Sequence, residues 1–132
     1  MSKHFKLEEF ACSSSGLSLM NEQFLQALEE IRERLGEPMI ITSGYRSDQH
    51  PITQSKIGKG AKHGGAHHLG YAADVGCAGP SAMKILALAI ENPQITGVGV
   101  KQSGPWNSRF IHLDAVPQEN NFGLTRPALW SY

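Results

Sequence analysis

The sequence predicts an α+β domain, a small and mostly antiparallel sheet with helices packed against one face. Three observations lead there. Phe24, Leu28, Ile31 and Leu35 recur at steps of four, three and four, the period of a buried helix face. A second stretch, from about Ser81 to Asn92, carries Met83, Ile85, Leu86, Leu88 and Ile90 between two prolines. Around these lie short β-rich runs at 39–43, 71–75, 97–101 and 109–115. A chain of 132 residues, 40% hydrophobic and 18% charged, suits one domain, 1–132, with one core.

Residues 1–19 read as an irregular cap with apolar points at Phe5, Leu7, Phe10 and Ala11, whose aromatics dock on the core, with Glu8 and Glu9 on a solvated face. The first helix covers 21–35, with Asn21 as N-cap and Gly36 followed by Pro38 as its stop. Met39 to Ser43 reads as a buried strand that runs into Gly44-Tyr45-Arg46-Ser47. An Arg just past a strand end is placed to enter a cleft, where its fork matches a carboxylate. Residues 48–66 hold Pro51, Gly58, Gly60, Gly64 and Gly65 without an apolar period and read as one long loop. Tyr71 to Val75 is the next strand, and Cys77-Ala78-Gly79-Pro80 breaks it. Ser81 then caps the second helix and Pro93 ends it. The glycines of Gly97-Val98-Gly99-Val100-Lys101 suggest a strand that something approaches closely. In the run 109–115, alternation puts Phe110, His112 and Asp114 on one face and Ile111 and Leu113 on the other. The terminal aromatics around Trp130 and Tyr132 either pack on the domain or rim a cleft, and packing is the expected role.

Charge and composition exclude several classes. The formal net charge is zero, which argues against broad electrostatic binding to nucleic acid. No apolar run approaches the ~20 residues of a membrane-spanning helix, so no membrane insertion is expected. The stretch Met1 to Lys6 shows no signal-peptide pattern. Cys12 and Cys77 are too few for a thiolate metal site and read as small buried or half-buried thiols.

The stretch with chemistry is His63-Gly64-Gly65-Ala66-His67-His68-Leu69-Gly70-Tyr71-Ala72-Ala73-Asp74. Imidazole nitrogen and carboxylate oxygen are common zinc ligands, and a catalytic zinc keeps three protein ligands and one open position. Small neighbours let such side chains converge. His67 or His68, Asp74 and the distant His112 form the candidate set. From spacing alone, the two adjacent histidines compete.

Three motifs occur in order: Thr42-Ser43-Gly44-Tyr45-Arg46-Ser47, then His67 through Asp74, then Phe110-Ile111-His112-Leu113-Asp114. Together they resemble the zinc D-Ala-D-Ala metallopeptidase family, D-Ala-D-Ala carboxypeptidases and murein endopeptidases of bacteria and phages, whose fold is shared with the hedgehog signalling domain. The family pattern Ser-x-His-x-x-Gly-x-Ala-x-Asp is met from His67 to Asp74, with Gly65 in place of the serine. The resemblance implies one Zn2+ per chain on His67, Asp74 and His112, in a cleft on the sheet face opposite the helices. It selects His67 over His68, because only His67 has glycine three residues on and aspartate seven on. It also implies that Arg46 holds substrate and the oxyanion, with Ser43 and Tyr45 beside it as substrate-binding residues. Many relatives carry a catalytic carboxylate three residues before the last histidine ligand, where this chain has Arg109. Asp114 is then the acidic catalytic candidate, either orienting His112 or acting as base, and His63 is a more distant base candidate.

The expected function is zinc-dependent hydrolysis of amide bonds in peptidoglycan stem peptides, as a carboxypeptidase or an endopeptidase, by a monomer. The resemblance and the missing signal pattern suggest a phage or bacterial cell-wall enzyme made in the cytoplasm and released by a holin or delivered by a virion. The rival is a non-catalytic, metal-containing binder of cell-wall peptide, which Arg109 favours. A third class is a structural protein whose histidines only pack.

Overall fold

The apolar face read between Phe24 and Leu35 forms a helix in the computed structural model, which describes residues 3–132. Helix α1 spans Glu22–Leu35. The Asn21 side chain accepts from the Phe24 amide at 2.9 Å, and Gly36 ends the helix at φ 74°. That left-handed turn is open to glycine without a Cβ penalty. Phe24, Leu28 and Ile31 are fully buried, each contributing about 1.5–3 kcal/mol of burial free energy. Met1 and Ser2 of the expected cap lie outside the described residues. Of the rest, the aromatics Phe5 and Phe10 are buried as anticipated, while Leu7 is exposed. Leu7–Phe10 form a 3-10 turn, Phe10 is buried, and its carbonyl accepts from the Tyr45 amide at 2.8 Å. Gly44 is required there, since a Cβ would lie 2.6 Å from the Phe10 backbone.

Strand β1 is Ile40–Ser43, β2 is Ala72–Gly76, β3 is Gly97–Lys101 and β4 is Phe110–Asp114, each within a residue or two of its expected bounds. Two elements were not anticipated. Helix α2, Pro51–Gly58, stands inside the expected loop. His50 caps it by accepting from the Ile52 amide at 3.1 Å, and Pro51 sits in its first turn, where a missing N–H costs nothing. Its sequence lacks an apolar period because Thr53 is its one buried residue. Strand β5, Ala128–Ser131, comes from the terminal aromatic stretch.

Helix α3 spans Gly79–Glu91 and starts earlier than read. Ser81 is not its cap. Pro80 opens the first turn after Ala78, and the Ser81 hydroxyl instead donates to the Glu37 carboxylate.

The sheet order is β1-β2-β4-β3-β5, antiparallel except for the parallel β3–β5 pair. The fold is α+β, as expected. In register, Asp74 faces His112, which faces Gly99, which faces Trp130. Alternation therefore gives one core face, with Ala73, Val75, Ile111, Leu113 and Val98 in a cluster with α1 and α3 residues. The other face presents Asp74, His112 and Asp114. Helix α2 does not join the core helices, and its Ile52 and Lys56 border a cleft on the polar face.

Candidate metal centre

Neighbouring strands bring Asp74 and His112 into direct register, and the turn before β2 delivers His67. His67 Nε2 and His112 Nδ1 are 3.2 Å apart, and each is 3.2 Å from Asp74 Oδ1. A tetrahedral ion with bonds of ~2.0–2.1 Å holds its ligand atoms about 3.3 Å apart, so this triangle has the size zinc requires.

Hydrogen bonds behind the triangle fix which atoms face inward. His67 Nδ1 lies 2.7 Å from the Gly44 carbonyl, which can only accept, so Nδ1 carries the proton and Nε2 offers a lone pair. His112 Nε2 donates to Asp114 Oδ2 at 2.7 Å, which leaves Nδ1 as the lone pair. Three lone-pair atoms turned to one point repel each other unless a cation stands among them. The pKa directions express the same field. Burial pulls the Asp74 carboxyl up, but the His112 and His67 rings beside it outweigh that and hold the group well below the usual carboxylate range. Burial keeps His67 low, the neutral state a ligand needs. Burial acts the same way on His112, but Asp114 and Asp74 outweigh it and raise its pKa, since a proton on Nδ1 is itself a cation in the triangle.

Asp114 is fully buried and its oxygens are committed. Oδ2 accepts from His112 and from Arg126 Nη2 at 2.8 Å, while Oδ1 accepts from Arg126 Nε at 3.0 Å and from the Val116 amide at 3.4 Å. Burial raises its pKa, and His112 and Arg126 more than reverse that. The carboxylate fits because β3 has Gly97 opposite, where a Cβ would lie 2.2 Å from Oδ2. Gly99 serves the Trp130 ring in the same way, at 2.4 Å from Nε1. Trp130 packs on His112 with ring centroids 5.0 Å apart, and the Arg126 guanidinium lies 5.3 Å over Trp130.

Arg46 enters from the chain after β1. Its Nη2 is 3.5 Å from Asp74 Oδ2, and its Nε is a buried donor without a partner among the described residues. A buried orphan N–H is costly and points to an acceptor that arrives with a ligand. Arg46, His67, Asp74 and His112 share one cleft of about 430 Å³, closed on its other sides by Ile52, Lys56, Leu124, Arg126, Trp130 and Tyr132. A larger hollow of about 890 Å³ lies along residues 3–25, away from these ligands.

The other sequence candidates fall elsewhere. His68 bonds Asp48 at 2.6 Å and accepts from the Gly64 amide, so it braces the loop. His63 spends both ring nitrogens on the Phe122 carbonyl and the Gly65 amide. Tyr45 is buried, and neither it nor Ser43 lines the cleft. Arg109 grips the Gly104 carbonyl through Nε and Nη2 and stacks on Trp106.

A family model described as Peptidase M15 matches residues 3–114, most of the chain. The chain belongs to the peptidase M15 family. M15 peptidases are the zinc D-Ala-D-Ala metallopeptidases, and the buried His67, Asp74 and His112 group could hold a metal. No curated protein and no solved structure matches the chain. The M15 match ends at Asp114, yet Arg126, Trp130 and Tyr132 complete the cleft from beyond it. Sequence reasoning missed Lys56 and Arg126, which no local pattern marks. Trp130 and Tyr132 rim the cleft, against the expectation that they pack elsewhere.

Proposed function

We propose that the protein hydrolyses amide bonds in peptidoglycan stem peptides, with a zinc ion held by His67 Nε2, His112 Nδ1 and Asp74. The observation that carries this is the 3.2 Å triangle of inward lone pairs with the unpartnered Arg46 Nε beside it. Zinc in such a site polarises a carbonyl and brings the pKa of bound water toward ~7.

The chain's own residues supply the rest. Arg46 presents Nε and its terminal nitrogens to the oxygen where negative charge develops, in a cleft where burial strengthens the contact. Gly44 fixes the His67 tautomer. Of the two roles read for Asp114, we assign orientation. Its oxygens are taken up by His112, Arg126 and Val116, and it sets the His112 tautomer from behind. Trp130 packs against the His112 ring.

One observation favours the second reading, a binder that does not cut. Among the described residues lining the cleft, Asp74 is the sole carboxylate, and it belongs to the triangle. The test is digestion of purified murein and of an acyl-D-Ala-D-Ala peptide by zinc-loaded protein, with products read by mass spectrometry. New fragments from wild type and none from His112→Ala support the hydrolase. Zinc retained with stem-peptide binding and no fragments establishes the binder.

A further inference from the structure

The chain after Asp114 lies beyond the residues that the M15 model matches, yet two of its side chains reach back to the metal centre. Strand register shows how. Across the sheet, His112 faces Gly99, and Gly99 faces Trp130. One row over, Asp114 faces Gly97, and Gly97 faces Ala128, two residues past Arg126. With no side chain at either glycine, a residue on or just before β5 can cross β3 and touch β4. Neither crossing tolerates a methyl group. A Cβ at Gly97 would strike the Asp114 carboxylate, and one at Gly99 would strike the Trp130 indole.

The contacts close a ring of four side chains. His112 Nε2 donates to Asp114 Oδ2 at 2.7 Å. Arg126 donates to both oxygens of Asp114, from Nε at 3.0 Å and from Nη2 at 2.8 Å. Its guanidinium lies 5.3 Å over the Trp130 ring, and Trp130 meets His112 with centroids 5.0 Å apart. The imidazole is thus held at its edge by Asp114 and across its ring by Trp130, while Arg126 ties those two holders together. The remaining Arg126 nitrogen, Nη1, donates to the Thr125 carbonyl at 2.8 Å. Each nitrogen of the guanidinium is engaged, and its charge is answered inside the protein by a fully buried carboxylate. A two-pronged pair of this kind fixes orientation as well as charge.

Resting on the zinc site of the hydrolase reading, we propose that Arg126 and Trp130 are positioning residues of the metal centre, which act as one unit to lock the His112 ring with Nδ1 turned to the metal. The working centre then extends past the matched residues into β5. A ligand ring that is free to turn must be ordered each time metal binds, which costs affinity. A ring held from behind and from its face is already in place.

The test measures Zn2+ affinity of the full-length protein by competition with a chelating dye. Arg126→Met and Trp130→Leu should each weaken binding about 10–100-fold. Since both act through one closed ring, the double variant should bind about as weakly as the weaker single variant, well short of the product of the two losses. Arg126→Lys returns the charge without the planar fork, so it should recover only part of the affinity. Leu129→Ala, at an exposed position of the same strand, should bind as wild type does. Far-UV circular dichroism of each variant establishes that it is folded. A second readout needs no metal. In the zinc-free protein the Trp130 ring current displaces the His112 ring-proton signals in NMR spectra, and Arg126→Met should collapse that displacement although it alters neither ring. A merely charge-neutralising Arg126 would leave those signals in place. Full affinity in either single variant, losses that multiply in the double variant, or an equal loss in Leu129→Ala overturns the proposal. Full recovery in Arg126→Lys, or unmoved His112 signals in Arg126→Met, does so as well. Murein cleavage is scored separately. The expected affinities without murein fragments would sink the hydrolase and leave the positioning role standing, whereas a wild type that takes up no zinc overturns both.

Discussion

Strands β2 and β4 present two faces that obey opposite rules. On one, Ala73, Val75, Ile111 and Leu113 pack against helices, and any apolar group of similar volume would serve. On the other, Asp74 and His112 turn lone pairs to one point, and Asp114 behind His112 fixes its proton on Nε2. The difference is one of tolerance. A packed face loses stability by degrees when a methyl group goes. A directional face loses its function at a single atom. Both are written into the same ten residues by the alternation of the strands.

The sharpest way to break that contrast is to remove one ligand. His67→Ala and His112→Ala should lose the bound metal and lower activity on the order of a thousandfold or more. Their folds should persist, as read by circular dichroism, because the core face is untouched. A ligand variant that unfolds would show that the two faces are not separable.

Core substitution should do the reverse. Ile111→Ala empties a buried site and should cost about 2–5 kcal/mol, measured by urea unfolding. The folded fraction should still take up metal as wild type does.

Asp114→Asn tests the link behind His112. It keeps the shape and removes the charge that orders the imidazole, so metal affinity should fall about 10–100-fold by competition with a chelating dye. Arg126→Met reads the same link through pH. Asp114 is held below its ordinary 3.8, so the stability it contributes is present above that value and is lost as pH falls through the lower folded value. Without Arg126 that depression shrinks. The acid limb of a Tm-versus-pH curve should then begin at higher pH, with lower stability near neutrality.

The smallest effect belongs to Arg109→Ala. Arg109 is half-buried, and its side-chain contacts are the Gly104 carbonyl and the Trp106 ring, outside the cleft. Stability should change by less than about 1 kcal/mol and turnover on an acyl-D-Ala-D-Ala peptide should hold.

The two faces were also unequally legible. Period two in 110–114 places His112 and Asp114 on one face from sequence alone, because a strand's alternation is strict. The period of α1 was equally plain. Helix α2 left no such trace, since burying Thr53 alone imposes no repeat. Strand β5 is an edge strand held in parallel by β3, a pairing of distant segments that local composition does not encode. Arg126 reaches Asp114 only because the chain after β4 turns back. His68 shows the converse. It looks like a ligand in sequence and is a brace in space, because its bonds run to Asp48 and Gly64.

The most direct measurement is the zinc content of wild type, His67→Ala and His68→Ala after purification without chelator. One zinc per chain in wild type and His68→Ala, with none in His67→Ala, is the expected result. Equal zinc in all three, or its loss from His68→Ala alone, would contradict the triangle of His67, Asp74 and His112.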